Sequence, residues 1–596
     1  GSQNIIISQG SGANITIPAG QTKAVYSNGA GSGAAVVDAF ATLSVVDLLV
    51  DDDLTVAGDM TVGGTLGVTG VLTATSLDIS GDIDVDGTSN LDIIDVDGAA
   101  NFAADVTIAT GADLLTASAG TDNVRIGLDA GDSIADGGLR NILIGRNAGT
   151  AITTGDSNVA IGWEALKTED ANGNNVAIGA SALATQNAGA DAYNVGIGYN
   201  AGTAITTGIK NTLIGGLAGD ALTDADFNVA LGVSALGADT LGNLSTAIGQ
   251  GTLQVQNFTT ATSTYNTAVG ANAGNQVTTG IRNTLIGGIA GDSLTDADYN
   301  TAIGFDALGT DTLGSGSVAI GYQALERQNF VTATTSYNVA VGYNTGENIT
   351  TGIRNTIVGA EAAKALTDAD HNVAIGFRAL FADTLGSKSI AIGDVALVNQ
   401  NFTSATDAYN VAIGHEAGNA VTTGIQNTLI GGLAGDALLA AADNVAVGFE
   451  ALSTETGGQN NVAIGPRALK AQVNSSGNVY NTAVGANAGA SVTTGVNNTL
   501  IGGLAGDALT DADNNVAVGR GSLSADTLGS RATAIGFGAL SSQNFTTATD
   551  TYNTAVGFNA GVAVSTGVQN TLIGGLAGDA LTTGVQNVAI GTHALT

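Results

Sequence analysis

Few side chains in this 596-residue sequence could do chemistry, and those that could are spread at regular intervals rather than gathered. There is no Cys, which excludes disulfides, thiolate nucleophiles and thiolate metal sites. The three His, His371, His415 and His593, share no spacing and read as loop residues rather than as ligands or bases. The stretch "DIDVDGTSNLDI" sets Asp82, Asp84, Asp86 and Gly87 out like the start of an EF-hand loop. Its twelfth residue, however, is Ile93 where that loop needs a bidentate Glu, so the alternation reads better as a wet strand face. The word "TDAD" supplies the carboxylate pairs Asp224/Asp226, Asp296/Asp298, Asp368/Asp370 and Asp511/Asp513, expected in solvated turns with at most weak calcium binding. The remaining candidates are aromatic: Phe258 and Tyr265 recur as Phe330/Tyr337, Phe402/Tyr409 and Phe545/Tyr552. On protruding loops such rings would stack on sugars and form a multivalent glycan or receptor edge; folded down, they would plug a loop insertion. No nucleophile elbow or phosphate-cradling loop occurs, so the chain is expected to be non-enzymatic and to need no cofactor.

The elements that would carry these residues follow from a repeated word. Aligned on the Gly that closes each "NVAIG" or "NTLIG", the series runs from Gly127 through Gly145, Gly162 and Gly179 to Gly591, in 27 copies. The common spacing is 17, and Gly198, Gly270, Gly342 and Gly414 mark a superrepeat of 72. One and three residues before the Gly, Ile, Val and Thr dominate, which favours extended backbone. Two before it stands Ala, Leu, Ile or Gly in every copy but one, Arg125. A strand apolar on both faces must be covered on both. The row two before the Gly is therefore expected to face a neighbouring chain and close a homo-oligomer, since a monomer seldom exposes so long an apolar stripe. Four before the Gly, Asn recurs in 23 copies, including Asn158, Asn175, Asn194, Asn211, Asn228, Asn266, Asn283 and Asn300, as a structural ladder of stacked amides.

The fold expected is all-β: a parallel β-solenoid or β-roll of about 27 coils of about 17 residues over 121–596, each coil with two short strands and two turns. Residues 1–40 read as a small β unit, and 41–120, with short alternating segments broken by Gly and Asp-Gly, as a fibrous β shaft needing partner chains. Composition agrees with something thin: 13 Phe, 11 Tyr and 1 Trp against 88 Gly. With 52 acidic and 16 basic residues, the net charge of −36 disfavours nucleic acid and anionic membrane surfaces. No apolar run is long enough to span a bilayer as a helix. An ice-binding surface would need Thr pairs on every rung, but "TTG", as at Thr206-Thr207, comes once per four coils.

"NVAIGWEAL", "NVAIGASAL" and "NTAVGANAG" resemble the head repeats of YadA-type trimeric autotransporter adhesins, which are parallel β-rolls that associate as homotrimers; similar repeats occur in bacteriophage tail fibres. The 17-residue coil is longer than the adhesin repeat, so the outer loop must differ. The opening "GSGANITIPAGQTKAVYSNGAGSGAAVVDAF" resembles tail-fibre-like proteins of marine phages, which often carry a C-terminal chaperone cleaved after trimerisation; Gly591 to Thr596 ends in mid-coil instead. The first residue is Gly, as expected of a processed or partial chain. The resemblance implies a homotrimeric structural fibre on a virion tail or extracellular surface, joined near its N-terminus to other virion or cell-surface proteins and touching a host glycan or protein receptor. A bacterial surface adhesin or extracellular filament is the alternative.

Overall fold

A computed structural model of the chain describes residues 3–8, 11, 13–27, 35–39, 48–76 and 120–596. Asp82, Asp84, Asp86, Gly87 and Ile93 lie outside the described residues, as does most of the expected shaft. The chain divides into two compact units, Gly1–Thr107 and Ile108–Thr596.

In the first unit, Ile5–Ile7 pairs antiparallel with Ile15–Ile17, and Val25–Ser27 with Val36–Asp38. The Asn4 side chain helps close the first hairpin by accepting the Ala19 N–H at 3.0 Å. Residues 48–76 form no strand, and every one of them is exposed.

The second unit is a parallel β-solenoid of 27 coils, and no helix occurs among the described residues. Each coil contributes one three-residue strand, Val159–Ile161 and Val176–Ile178 for example, and each strand pairs in parallel and in register with those of the coils before and after. The ladder is open: Val124–Ile126 pairs only with Ile142–Ile144, and Val588–Ile590 only with Thr571–Ile573. At about 4.8 Å per rung, 27 rungs rise roughly 130 Å.

Two expectations are corrected here. The return leg is not a second strand but a chain of turns, in which Glu164 and Leu166 hold φ of 55° and 50°. Their N–H groups bond in opposite directions, Glu164 to Arg146 O in the coil before and Leu166 to Ala182 O in the coil after, so the leg is hydrogen-bonded without being pleated. Two-residue bridges are added only where a long coil stacks on the coil before it, as Thr334–Thr335 does on Gly314–Ser315.

The second correction concerns the faces. The row two before the Gly points into its own coil: Leu143, Ala160, Ala177, Leu213 and Ala230 are wholly buried. The rows one and three before it face outward and are half-exposed. The reason is width. The buried row meets the residue four after the Gly, and no coil carries a large side chain at both places: Ala160 faces Leu166, whereas Leu213 faces Gly219. A Cβ on Gly219 would stand 2.9 Å from Leu213 Cδ2 and 2.8 Å from Leu222 Cδ1. Leu occupies the same backbone conformation at position 166, so Gly219 serves volume rather than φ. Gly219→Leu should therefore overpack the coil and cost about 2 kcal/mol. Adding Leu213→Ala, which recreates the Ala160/Leu166 arrangement, should return most of that loss, as read by thermal melts of both variants.

Candidate functional site

The long coils hold the aromatic candidates, and the structure separates them. Phe258, Phe330, Phe402 and Phe545 are buried at 6 to 7% exposure, whereas Tyr265, Tyr337, Tyr409 and Tyr552 are 48 to 60% exposed. The four Phe are thus plugs, unable to stack on a sugar, and only the tyrosines remain on the surface. Phe330 packs so closely on Gly314 that a Cβ there would lie 2.7 Å from its Cδ2. Phe has no polar atom to satisfy and can be folded in; the Tyr hydroxyl favours the wet side.

Beneath each plug lies a polar relay that sequence reasoning missed. Asp311 is fully buried; its Oδ1 accepts the N–H groups of Gly314 and Phe330, each at 3.1 Å, and its Oδ2 accepts Gln328 Nε2 at 2.6 Å. Gln328 also donates to Ser317 Oγ at 2.9 Å and accepts Asn338 Nδ2 at 2.8 Å. Asp239/Gln256, Asp383/Gln400 and Asp526/Gln543 repeat the carboxylate–amide pair, and Glu169/Gln186 and Glu455/Gln472 do so with the longer acid. The visible signal is an acid followed 17 residues later by Gln, at places that break the Ala/Leu pattern. Ser245, Ser317 and Ser389 replace Asn four before the Gly where the shorter Asp draws the Gln inward.

The asparagine column runs alongside. Asn158, Asn175, Asn194, Asn211, Asn228, Asn266, Asn283 and Asn300 are all buried. Each Oδ1 in an unbroken stretch accepts the backbone N–H of the next Asn, as Asn211 Oδ1 does from Asn228 at 2.9 Å. The Nδ2 meanwhile donates across the coil, as from Asn211 to Ala225 O at 2.7 Å. One amide thus grips the turn of the next coil at two points, Ala225 O and the Asn228 N–H.

The exposed tyrosines stand five before the Gly, next to this column. There the residues hold left-handed φ, 52° at Tyr337 and 58° at Lys210 and Arg282, and their side chains face outward. Six of the 16 basic residues, Arg140, Lys210, Arg282, Arg354, Lys388 and Arg531, share this position. Four of the six lie over the ring of the following coil: Lys210 over Phe227 at 5.0 Å, Arg282 over Tyr299 at 5.2 Å, Lys388 over Tyr409 at 5.1 Å and Arg531 over Tyr552 at 5.5 Å. A second outward column, directly after the Gly, stacks Phe305 on Tyr322 at 5.7 Å and Tyr322 on Tyr343 at 5.3 Å. Left-handed φ and a stacking partner one coil away are both invisible in a period-two reading, which is why these columns escaped it.

The acidic pairs are structurally engaged. Asp224 accepts Thr207 Oγ1 at 2.6 Å and Asp226 the Ile209 N–H at 2.8 Å, with the same bonds at Asp296/Asp298 and Asp368/Asp370. Asp511 and Asp513 likewise bond Thr494 Oγ1 and the Val496 N–H. Among the described residues no three His, Cys, Asp or Glu converge as a metal-binding group. His371 sits 3.3 Å from Arg354, and His415 3.5 Å from Asp394, both at the surface.

Another acidic row lies five after the Gly, in "GGLAGDAL". Burial, then the Asp306 charge, pushes Asp292 up to about 6, and burial, with Glu416 and Glu450 adding, does the same for Asp436. Burial also raises Asp220 and Asp507. Asp436 Oδ1 and Asp507 Oδ1 are enclosed without a hydrogen-bond partner. A raised carboxylate pKa means that the folded state is penalised above that pKa and relieved as the pH falls through it. These groups should therefore add stability as the pH falls from 7.5 to 5, by about 1 kcal/mol each for Asp292 and Asp436 after allowing for solvent screening. Asp436→Asn should remove its share of that slope, as measured by melting temperature against pH.

No protein-family model, curated protein or solved structure matches this chain.

Proposed function

We propose that this chain is a structural fibre, part of a phage tail, in which the solenoid gives stiff reach and the exposed columns give host-surface contact, with no catalysis required. The observation that carries this reading is the uninterrupted 27-strand ladder, in which nearly every coil solves its packing with the same Gly, Asn and Ala/Leu positions. Such a stack gains length by adding rungs, each touching only its neighbours. The outward rows one and three before the Gly support homotrimeric assembly. Ile126, Ile142, Leu231 and Ile286 are 37 to 48% exposed in the single chain, and the face they share is on the order of 1,000 Å². Patches on monomers are generally a few hundred Å². Burying this face against two further copies would leave the aromatic columns and the acidic turns to meet solvent and the host.

The resemblance of the repeat words to phage fibres and to YadA-type heads supports a position on a virion or a cell surface, and immunogold labelling with antibodies to residues 120–596 decides between them. Gold on phage tails is the expected result. Gold on the bacterial envelope would transfer the same structural role to a surface adhesin, and gold confined to the cytosol would overturn the reading.

A further inference from the structure

We infer that the cleft over Gly316 is a binding site for an organic ammonium group, held between the faces of Tyr299 and Tyr337 beside the Asp298 carboxylate. The cleft has a volume of about 450 Å³ and is lined by Asp298, Tyr299, Ser315, Gly316, Thr335 and Tyr337. It exists because one side chain is missing from the outward column five before the Gly. That column runs Arg282, Tyr299, Gly316, Tyr337, Arg354 in successive coils. Arg282 covers one side of Tyr299; the other side looks across Gly316 toward Tyr337.

The equivalent positions in the other superrepeats state what the space accepts. They hold Asn174, Leu244, Lys388, Asn460 and Arg531, so the position is empty only at 316. Lys388 and Arg531 place their cations 5.1 and 5.5 Å from the rings of Tyr409 and Tyr552, the counterparts of Tyr337. Lys388 Nζ also bonds Asp407 at 2.5 Å and the Tyr409 hydroxyl at 3.1 Å. These repeats thus fill the space with a cation of their own.

At Gly316 the geometry is more favourable for a visitor. The two tyrosines are two rungs apart, roughly 9.6 Å, so a cation midway lies about 5 Å from both rings, within cation–π reach of each. Asp298, anchored by the Ile281 N–H at 2.8 Å, supplies a carboxylate on the wall. Thr335 stands where Asp407 and Asp550 complete the internal ion pairs, which leaves Asp298 as the acid of the lining. Paired aromatic faces with an acid suit an ammonium, and the −36 net charge of the chain favours its approach. The ammonium could come from a choline headgroup on a surface polymer or from a lysine side chain of a protein.

The inference goes beyond the fibre reading and does not depend on assembly, because binding is counted per chain whatever the mass of the particle. Equilibrium dialysis of the full chain against radiolabelled choline, and separately against Nα-acetyl-lysine amide, should show one saturable millimolar site per chain. Tighter choline binding points to a headgroup and tighter lysine binding to a protein; either supports the site. Gly316→Lys, which copies Lys388 and its backbone conformation, should abolish binding while keeping the melting temperature, and Tyr299→Ala should weaken it at least tenfold. No saturable binding of either probe, binding unchanged in Gly316→Lys, or equal binding of the neutral carbon isostere of choline would overturn the inference.

Discussion

Gly304→Ala is expected to cost about 3 kcal/mol or more and to break the ladder between its coil and the next. Gly304 holds φ of 140°, a conformation that residues with a Cβ rarely adopt, and a Cβ there would stand 2.6 Å from the carbonyl carbon of Gly321 in the following coil. Backbone cannot swing aside as a side-chain tip can, so both the strain and the overlap must be borne by the stack. Coils touch only their neighbours, so the damage should localise: amide hydrogen exchange should accelerate in the coils around 304 and 321 before it does so elsewhere. Gly216→Ala is the control. Gly216 has no positive φ and an open environment, with only Tyr199 O at 3.9 Å from its Cβ position, and its substitution should be neutral. Comparable melting of the two variants would mean that close rung approach does not limit the fold.

The second large effect is expected at Asp311. Asp311→Ala removes the acceptor of three buried donors, the Gly314 and Phe330 N–H groups and Gln328 Nε2. At about 1 to 3 kcal/mol for each buried donor left unsatisfied, and with some rearrangement of Gln328, the loss should be about 4 kcal/mol. Asp311→Glu should cost far less, because Glu455 does the same work in its own superrepeat: its Oε1 accepts Gly458 N at 2.8 Å and Asn474 N at 2.9 Å, and its Oε2 accepts Gln472 Nε2 at 2.7 Å. Denaturant unfolding of both variants checks the order. Equal losses would show that the carboxylate is incidental to the long coil.

These two sites also mark what could be read from the sequence and what could not. The closing Gly recurs at every rung, the β-branched residues around the strand at nearly every one and the Asn four before the Gly at 23 of 27, so the coil count and parallel register were legible from spacing alone. Which face turns inward was not, because residues such as Leu213 and Ile214 are apolar on both sides and a period of two cannot rank them. The information lay in a correlation across the coil, Ala160 with Leu166 and Leu213 with Gly219, which only a contact explains. The relay was hidden for a similar reason: Asp311 and Gln328 are distant in sequence, and an acid in a chain of net charge −36 reads as surface. Phe258 and Tyr265 formed one motif in sequence, yet the hydroxyl sends one out and its lack lets the other in.

If the chain is a trimer as proposed, the outward strand face, the half-exposed rows one and three before the Gly, is covered by two further copies of the chain. Light scattering coupled to size-exclusion chromatography measures this most directly. The expected molar mass is close to three times the 58.1 kDa of one chain, persisting on dilution. A mass of one chain at every concentration would contradict it, since the solenoid would then keep the Ile, Val and Leu row one before the Gly in water along its whole length.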